Sequence, residues 1–323
     1  EKILAYMFVM IKKCKEKGIK LTEEYLKSCG ENVILYKGVQ TWFDRINKFG
    51  EEMGVNIEHY IISSGTYEII EGTPIAKYFK RIYACKYMYD ENGEALWPAL
   101  AINYTLKTQY IYRISKGILD VTDDYNLNRL QDESLRRIAY RNMIYIGDGM
   151  TDIPCMKMVK EKGGKSIALY PSGKSEHVKP LVEDDRINYV CVADYSPNSS
   201  LEKIVKLMIE NMAIIERLAA KEEKQLAKDN MKRLGIYDLF DNVWSCNDFA
   251  TTKADPQIYH MAAERIGVPV DEVIFLDDNL NADKTAKVAG MVVYGVYDES
   301  SKEYVDEMKA ATDKYIYDFR ELL

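Results

Sequence analysis

Gly147-Asp148-Gly149-Met150-Thr151-Asp152 places two carboxylates one helical turn apart, directly after the apolar run Asn142-Met143-Ile144-Tyr145-Ile146. Residues at that spacing lie on one helix face, so Asp148 and Asp152 can face a single point. In a parallel sheet, ligands bind beyond the carboxyl ends of the strands, where a loop after such a run falls. Gly147 and Gly149 permit backbone conformations barred to other residues. Magnesium takes one or two protein carboxylates, several waters and a substrate phosphate, and two acids at this spacing meet that need. A lone GDG would favour a plainer reading, a turn followed by an Asp-capped helix. The longer GDGxxD string behind an apolar strand favours a metal-binding loop.

The elements that must position these residues come from a chain of 323 residues, 47% hydrophobic and 29% charged. That length predicts one large domain or two smaller ones, with enough apolar residues for a core. The net charge of -7 argues against a general nucleic-acid binder, which would show a basic face. The apolar windows Met143–Ile146 and Val273–Leu276 are far shorter than the ~20 residues of a membrane-spanning helix. Cysteines 14, 29, 85, 155, 191 and 246 form no CxxC pair, which fits scattered reduced thiols in a cytoplasm. The three histidines are widely separated, so a histidine-centred metal site is not expected. No secretory signal is visible, and a cytoplasmic location is expected. Glu1 in place of a methionine suggests a start inside a longer reading frame; processing or trimming would look the same.

Residues 1–29 read as helix, interrupted at Gly18, with Ile3, Leu4, Met7, Phe8 and Ile11 on one face. Val39 to Met53 is a second amphipathic helix that buries Trp42, Phe43, Ile46 and Phe49. His59 to Ile62 is a short strand ending at Ser63-Ser64-Gly65-Thr66. Residues 79–104 alternate and are rich in aromatics, with a hairpin signal at Asp90-Glu91-Asn92-Gly93. Lys107 to Leu119 reads as helix and 120–135 as loop. Residues 142–146, 166–170 and 187–192 are strands, and 156–162 a helix. From Ser199 or Ser200 a helix runs without Gly or Pro to Gly235, and its charged second part is the candidate domain boundary. Strand, helix and strand then resume, with strands at 242–245, 272–276 and 291–296 and helices at 256–266, 282–289 and 302–311. This alternation predicts an α/β fold, a mainly parallel sheet with helices on both faces.

Taken together, the motifs resemble the haloacid dehalogenase superfamily of phosphohydrolases, in its phosphoserine-phosphatase-like branch. The resemblance implies a Rossmann-like three-layer core carrying four motifs. Ile61-Ile62-Ser63-Ser64-Gly65 is similar to motif II, whose hydroxyl hydrogen-bonds phosphate; Ser64 is the better match by position, Ser63 the alternative, with Gly65 and Thr66 beside them. Lys107 resembles the motif III lysine that neutralises nucleophile and phosphate, and Lys116 is a weaker candidate. Asp148 and Asp152 match motif IV and imply Mg2+. The resemblance covers residues 1–218, with 1–38 as a helical cap segment and 82–104 as an elaboration near the pocket. Residues 219–323 resemble part of a second such domain, of the phosphoglycolate-phosphatase-like branch. There Lys253 resembles motif III, and Asp277-Asp278-Asn279-Leu280-Asn281 follows a motif IV strand. Counted back from Gly290, Asp278 is the main metal carboxylate. The second acid is expected at 282, which is alanine. Asp283 comes one residue late, a rotation of ~100° on a helix, and Asp277 would compensate. The plainer reading is that these acids cap a helix.

The family's nucleophile, the first aspartate of a DxDxT-like motif after the central strand, is not found. Asp120-Val121-Thr122-Asp123-Asp124 and Asp238-Leu239-Phe240-Asp241 lack the spacing and the preceding strand. Without that strand, the motif II and motif IV strands face a gap. Upstream residues, another chain, or closure of the two strands on each other would fill it. A truncated phosphatase joined near 218–233 to the tail of a second one fits this order of motifs; a natural tandem is the alternative. The expected function is therefore a magnesium-dependent phosphate-monoester hydrolase by descent, with little or no turnover because covalent catalysis has lost its nucleophile. The alternative is a non-catalytic phosphate- or metal-binding module. Expected partners are a small phosphorylated substrate or phosphate, no nucleic acid and no membrane, with self-association favoured by exposed sheet edges. GDGxxDxP also resembles the hinge of cation-pumping ATPases, but a DKTGT motif and membrane helices are absent.

Overall fold

The computed structural model describes residues 2–129, 136–178, 181–182, 185–249 and 251–323. Residues 130–135 of the loop expected at 120–135 lie outside that set. The chain divides into two compact units, Glu1–Ile215 and Glu216–Leu323. It is a mixed α/β protein with three-stranded sheets, two of them wholly parallel.

In the first unit, α1 (Lys2–Glu16) buries Met7 and Ile11, whereas Phe8, expected on the same face, is exposed and lies against Trp97. Thr22 caps α2 (Glu23–Glu31), its side chain accepting from Tyr25 N. Helix α3 (Val39–Met53) buries Val39, Trp42, Phe43 and Ile46, the spacing of one apolar face, and stops at a left-handed Gly54. Strand β1 (His59–Thr66) leads into the short α4 (Tyr67–Glu71) and pairs in parallel with β2 (Phe79–Tyr89). β2 turns back on β3 (Ala95–Leu100); the Asp90 carboxylate accepts from Asn92 N and Glu94 N and closes the hairpin. Helix α5 (Tyr104–Lys116) starts three residues before its expected start, because the Asn103 side chain accepts from Thr105 N and Leu106 N. The expected loop contains a short α6 (Asp124–Asn128), capped by Asp123.

Strand β4 (Ile144–Gly147), α7 (Ile153–Glu161), β5 (Lys165–Tyr170) and β6 (Tyr189–Val192) form the second, parallel sheet. Among the described residues β1 pairs only with β2, and β4 only with β5. The two strands therefore do not close on each other, which removes one way of filling the expected gap. Their apolar residues Ile61, Ile62, Ile144 and Ile146 are half-buried, whereas Ile167 to Leu169 of β5 are fully buried. The α3 face packs with Ile167, Leu169, Leu201, Val205 and Met208.

Helix α8 (Ser200–Arg233) starts where Ser199 Oγ accepts from Glu202 N. The strand expected at 242–245 is not formed: these residues have no ladder, and Trp244 instead sets its ring edge-on against Phe249. In the second unit, α9 (Gln257–Ile266), β7 (Ile274–Asp277), α10 (Leu280–Val288), β8 (Val292–Val296), α11 (Val305–Ala311) and β9 (Lys314–Ile316) build a parallel sheet in the order β7-β8-β9. β9 is not foreseen from the sequence. No helix among the described residues is long and apolar enough to cross a membrane.

Candidate functional site

The first site gathers at the carboxyl end of β4. Asp152 ends a turn of 3-10 helix, Met150–Asp152, and opens α7. A Cβ at Gly147 would meet Asp152 Cβ at 2.7 Å, so only glycine lets that carboxylate lie against the strand end. Asp152 is buried and fully engaged. Its Oδ1 accepts from Lys107 Nζ and from the Tyr145 hydroxyl, both at 2.8 Å, and its Oδ2 accepts from Gly149 N at 3.3 Å. Lys107, itself 4% exposed, also reaches Thr151 Oγ1 at 3.4 Å. Burial, then the neighbouring Cys155 and Asp152, raise the pKa of the Tyr145 phenol, and burial pushes the Cys155 thiol up to about 11.

Asp148 is placed differently. Its carboxylate is exposed. Burial first, then the charge of Asp148 and hydrogen bonding to it, raise the Tyr36 pKa. The pKa of Tyr195 is raised too, by burial and then by Asp148. Of the two acids in the loop, one is held by a buried cation and the other faces solvent. Among the described residues no group of three or more His, Cys, Asp or Glu is gathered for a metal. Magnesium does not need one: an exposed carboxylate leaves room for the waters it keeps, and the donor chemistry of Asp148 fits that ion.

Ser63 Oγ accepts from Gly65 N at 2.9 Å and so is spent on its own turn. Ser64 Oγ is buried with no hydrogen-bond partner, Gly65 is exposed, and Thr66 is buried. No hydrogen bond or ion pair among the described residues joins Ser63 to Thr66 with Lys107, Asp148 or Asp152. Lys116 is a structural anchor: its Nζ donates to Leu127 O at 2.7 Å and Arg129 O at 2.6 Å. Asp120 and Asp123 accept from the backbone N–H of Thr122 and Asn126, as turn and cap residues do.

In the second unit Lys253 forms an ion pair with Asp277, whose Oδ1 accepts from Asn279 N at 2.9 Å. Asp278 is exposed. Asn279, not an acid, caps α10 by accepting from Asn281 N and Ala282 N. Asp283 is not turned to solvent by its late position. It is fully buried, and neither carboxylate oxygen has a partner. Burial first, then Asp277 and Asp278, push its pKa up to about 7. A buried carboxylate with two free oxygens suits a cation or a proton.

Sequence reasoning missed Tyr145, Thr151, Tyr36 and Tyr195. Tyr145 carried a signal, since strand alternation puts it on the face of Gly147, against which Asp152 packs. Tyr36 carried none.

The family model of haloacid dehalogenase-like hydrolases matches residues 178–290. Several relatives bear the names of phosphatases. A glyceraldehyde 3-phosphate phosphatase of Methanocaldococcus jannaschii is 27% identical over 207 residues, 59% of this chain and 89% of the relative. The putative phosphatase YhcW of Bacillus subtilis is 30% identical over 74 residues, 23% of this chain and 34% of the relative. These matches liken the chain to the haloacid dehalogenase-like hydrolases and support a phosphohydrolase of that superfamily. It is also 26% identical over 200 residues to an uncharacterized protein of Borreliella burgdorferi, across 56% of this chain and 68% of that one. The stretch that the family model matches includes Lys253, Asp277, Asp278 and Asp283. Lys107, Asp148 and Asp152 lie outside it.

Proposed function

We propose that the chain carries a phosphate-monoester hydrolase site that binds phosphate and magnesium but that, within these 323 residues, does not complete the reaction. The observation that carries this reading is the buried Lys107–Asp152 pair at 2.8 Å beside the exposed Asp148 carboxylate. Asp148 would hold the metal, with Asp152 behind it, and bound magnesium would neutralise charge on the phosphoryl oxygens. Lys107 brings a positive charge to the same place, and Ser64 offers the free hydroxyl of the β1 end. In the second unit Lys253, Asp277, Asp278 and Asp283 would play the matching parts. The substrate is a small phosphorylated compound. The reading includes a cytoplasmic location, domains divided at 218/219, and self-association through open sheet edges. A phosphatase of this type needs a carboxylate nucleophile to split the displacement into two steps, and no DxDxT-like string occurs in the sequence.

The test is paired. Isothermal calorimetry should show inorganic phosphate binding that depends on magnesium and is lost in Asp148→Ala. Hydrolysis of 4-nitrophenyl phosphate should stay at the level of that variant. Turnover that Asp148→Ala abolishes would overturn the claim of inactivity; phosphate binding indifferent to both magnesium and Asp148 would overturn the site.

A further inference from the structure

The loop between α2 and α3 brings apolar side chains to the surface. Ile34 is 97% exposed and Tyr36 42% exposed. The loop is nevertheless pinned to the segment that follows β6. Tyr195 N donates to Lys37 O at 2.8 Å, and Arg45 Nη2 donates to Tyr195 O at 2.6 Å while its Nε donates to Glu202 at 2.7 Å. Gly38 has φ 83°, and a Cβ there would meet Ser196 N and Tyr195 C at 2.4 Å, so only glycine allows the two segments to touch.

This pinning sets two aromatic rings against each other at the end of the sheet that carries Asp148. The Tyr36 and Tyr195 rings are near parallel, 23° apart with centroids at 6.5 Å. Trp42 meets Tyr195 edge-on at 5.0 Å and fixes it from behind. Burial first, then the Asp148 charge, raise the pKa of both phenols, and Asp148 follows β4 of the same parallel sheet that β6 ends. A centroid separation of 6.5 Å lies at the long end of ring–ring contact, so the pair gains little from self-stacking. The fold has oriented and anchored rings that do not satisfy each other, at the carboxyl end of β4 and β6 where a ligand arrives.

We propose that Tyr36 and Tyr195 form the wall of the Asp148 site and select phosphate monoesters of a flat aromatic alcohol over those of a small alkyl alcohol. The proposal rests on the phosphate-monoester reading above and deepens it. A ring esterified to phosphate would lie along the Tyr36 face while its phosphate sits at Asp148. Tyr36 is here a specificity residue; it takes no part in bond making.

Calorimetry on the full chain with magnesium would compare inorganic phosphate, phenyl phosphate and glycerol 3-phosphate. Stacking on a tyrosine face should make phenyl phosphate bind about 5- to 10-fold tighter than glycerol 3-phosphate. Tyr36→Ala should bring the two esters to within about 2-fold of each other, while Tyr36→Phe, which keeps the ring, should retain the preference. Far-ultraviolet circular dichroism melts would check that both variants are folded. Equal affinities for the two esters in the unaltered chain, with inorganic phosphate still bound, would overturn this proposal and leave the monoester reading standing. Tighter binding of glycerol 3-phosphate would overturn it likewise. Failure to bind inorganic phosphate at all would remove the reading and the proposal together.

Discussion

At the scale of single residues, the strongest constraint is the charge pair inside the first unit. Asp152 is 7% exposed and Lys107 4% exposed, so removing either charge strands the other away from water. Breaking such a pair costs about 3–5 kcal/mol. Tyr145 and Gly149 N would still donate to Asp152 in Lys107→Met, which places that variant near the lower end, ~3 kcal/mol by urea unfolding. Asp152→Asn added to Lys107→Met should recover part of the loss, because the stranded charge is then gone; a fully additive loss would show that the two charges are not coupled. Asp283 makes the opposite kind of prediction. Its folded pKa of about 7 stands above its ordinary value of 3.8. Between those values the folded chain keeps a proton that the unfolded chain has released, so stability falls as pH rises from about 4 to 7 and stays lowered above it. The full span is on the order of 4 kcal/mol. Asp283→Asn cannot ionise, so thermal melts at pH 5, 6, 7 and 8 should show the variant gaining on the unaltered chain as pH rises. Parallel curves would mean that Asp283 is not a neutral acid in the folded protein.

At the scale of elements, the Tyr36 loop depends on Gly38. Alanine there must adopt a left-handed backbone and push against the backbone of Tyr195 and Ser196. The left-handed conformation alone costs roughly 1–2 kcal/mol; with the clash, Gly38→Ala should lose at least that much in urea unfolding, and a loss under 0.5 kcal/mol, within the range of a neutral surface change, would show the loop is not pinned. The same contact marks the limit of what the chain discloses by itself. Helix α3 was legible from Val39 to Met53 because its apolar spacing and its terminal glycine are local. The aromatic hairpin was legible because Asp90 to Gly93 is turn chemistry. Residues 242–245 look like a strand, yet a strand exists only with a partner to hydrogen-bond, and Trp244 packs on Phe249 instead. β9 is three residues long and too short to show a period. At the site, the loop order named Asp148, Asp152 and Lys107. It could not say that Asp152 would be held by a lysine and a tyrosine while Asp148 stayed exposed, because those partners meet only through packing of distant segments.

At the scale of the whole molecule, the described strands leave several edges open. β1, β3, β4, β6, β7 and β9 each end a sheet among the described residues. Unpaired edges with apolar side chains are templates for another strand, and nature usually blunts them with charge. On β7 Ile274 is 50% exposed, and on β6 Tyr189 and Val190 are 44% and 37% exposed, so these edges are not blunted. Association should therefore follow concentration: sedimentation equilibrium at tens of micromolar should give a weight-average mass above the monomer value. Ile274→Lys puts a charge on the β7 edge without touching a buried contact, and it should lower that mass if β7 is the edge in use. Two further outcomes are decisive. A chain that stays monomeric at every concentration has edges covered by its own segments. An association that Ile274→Lys leaves unchanged runs through one of the other sheet ends, and Val190→Lys would then test β6.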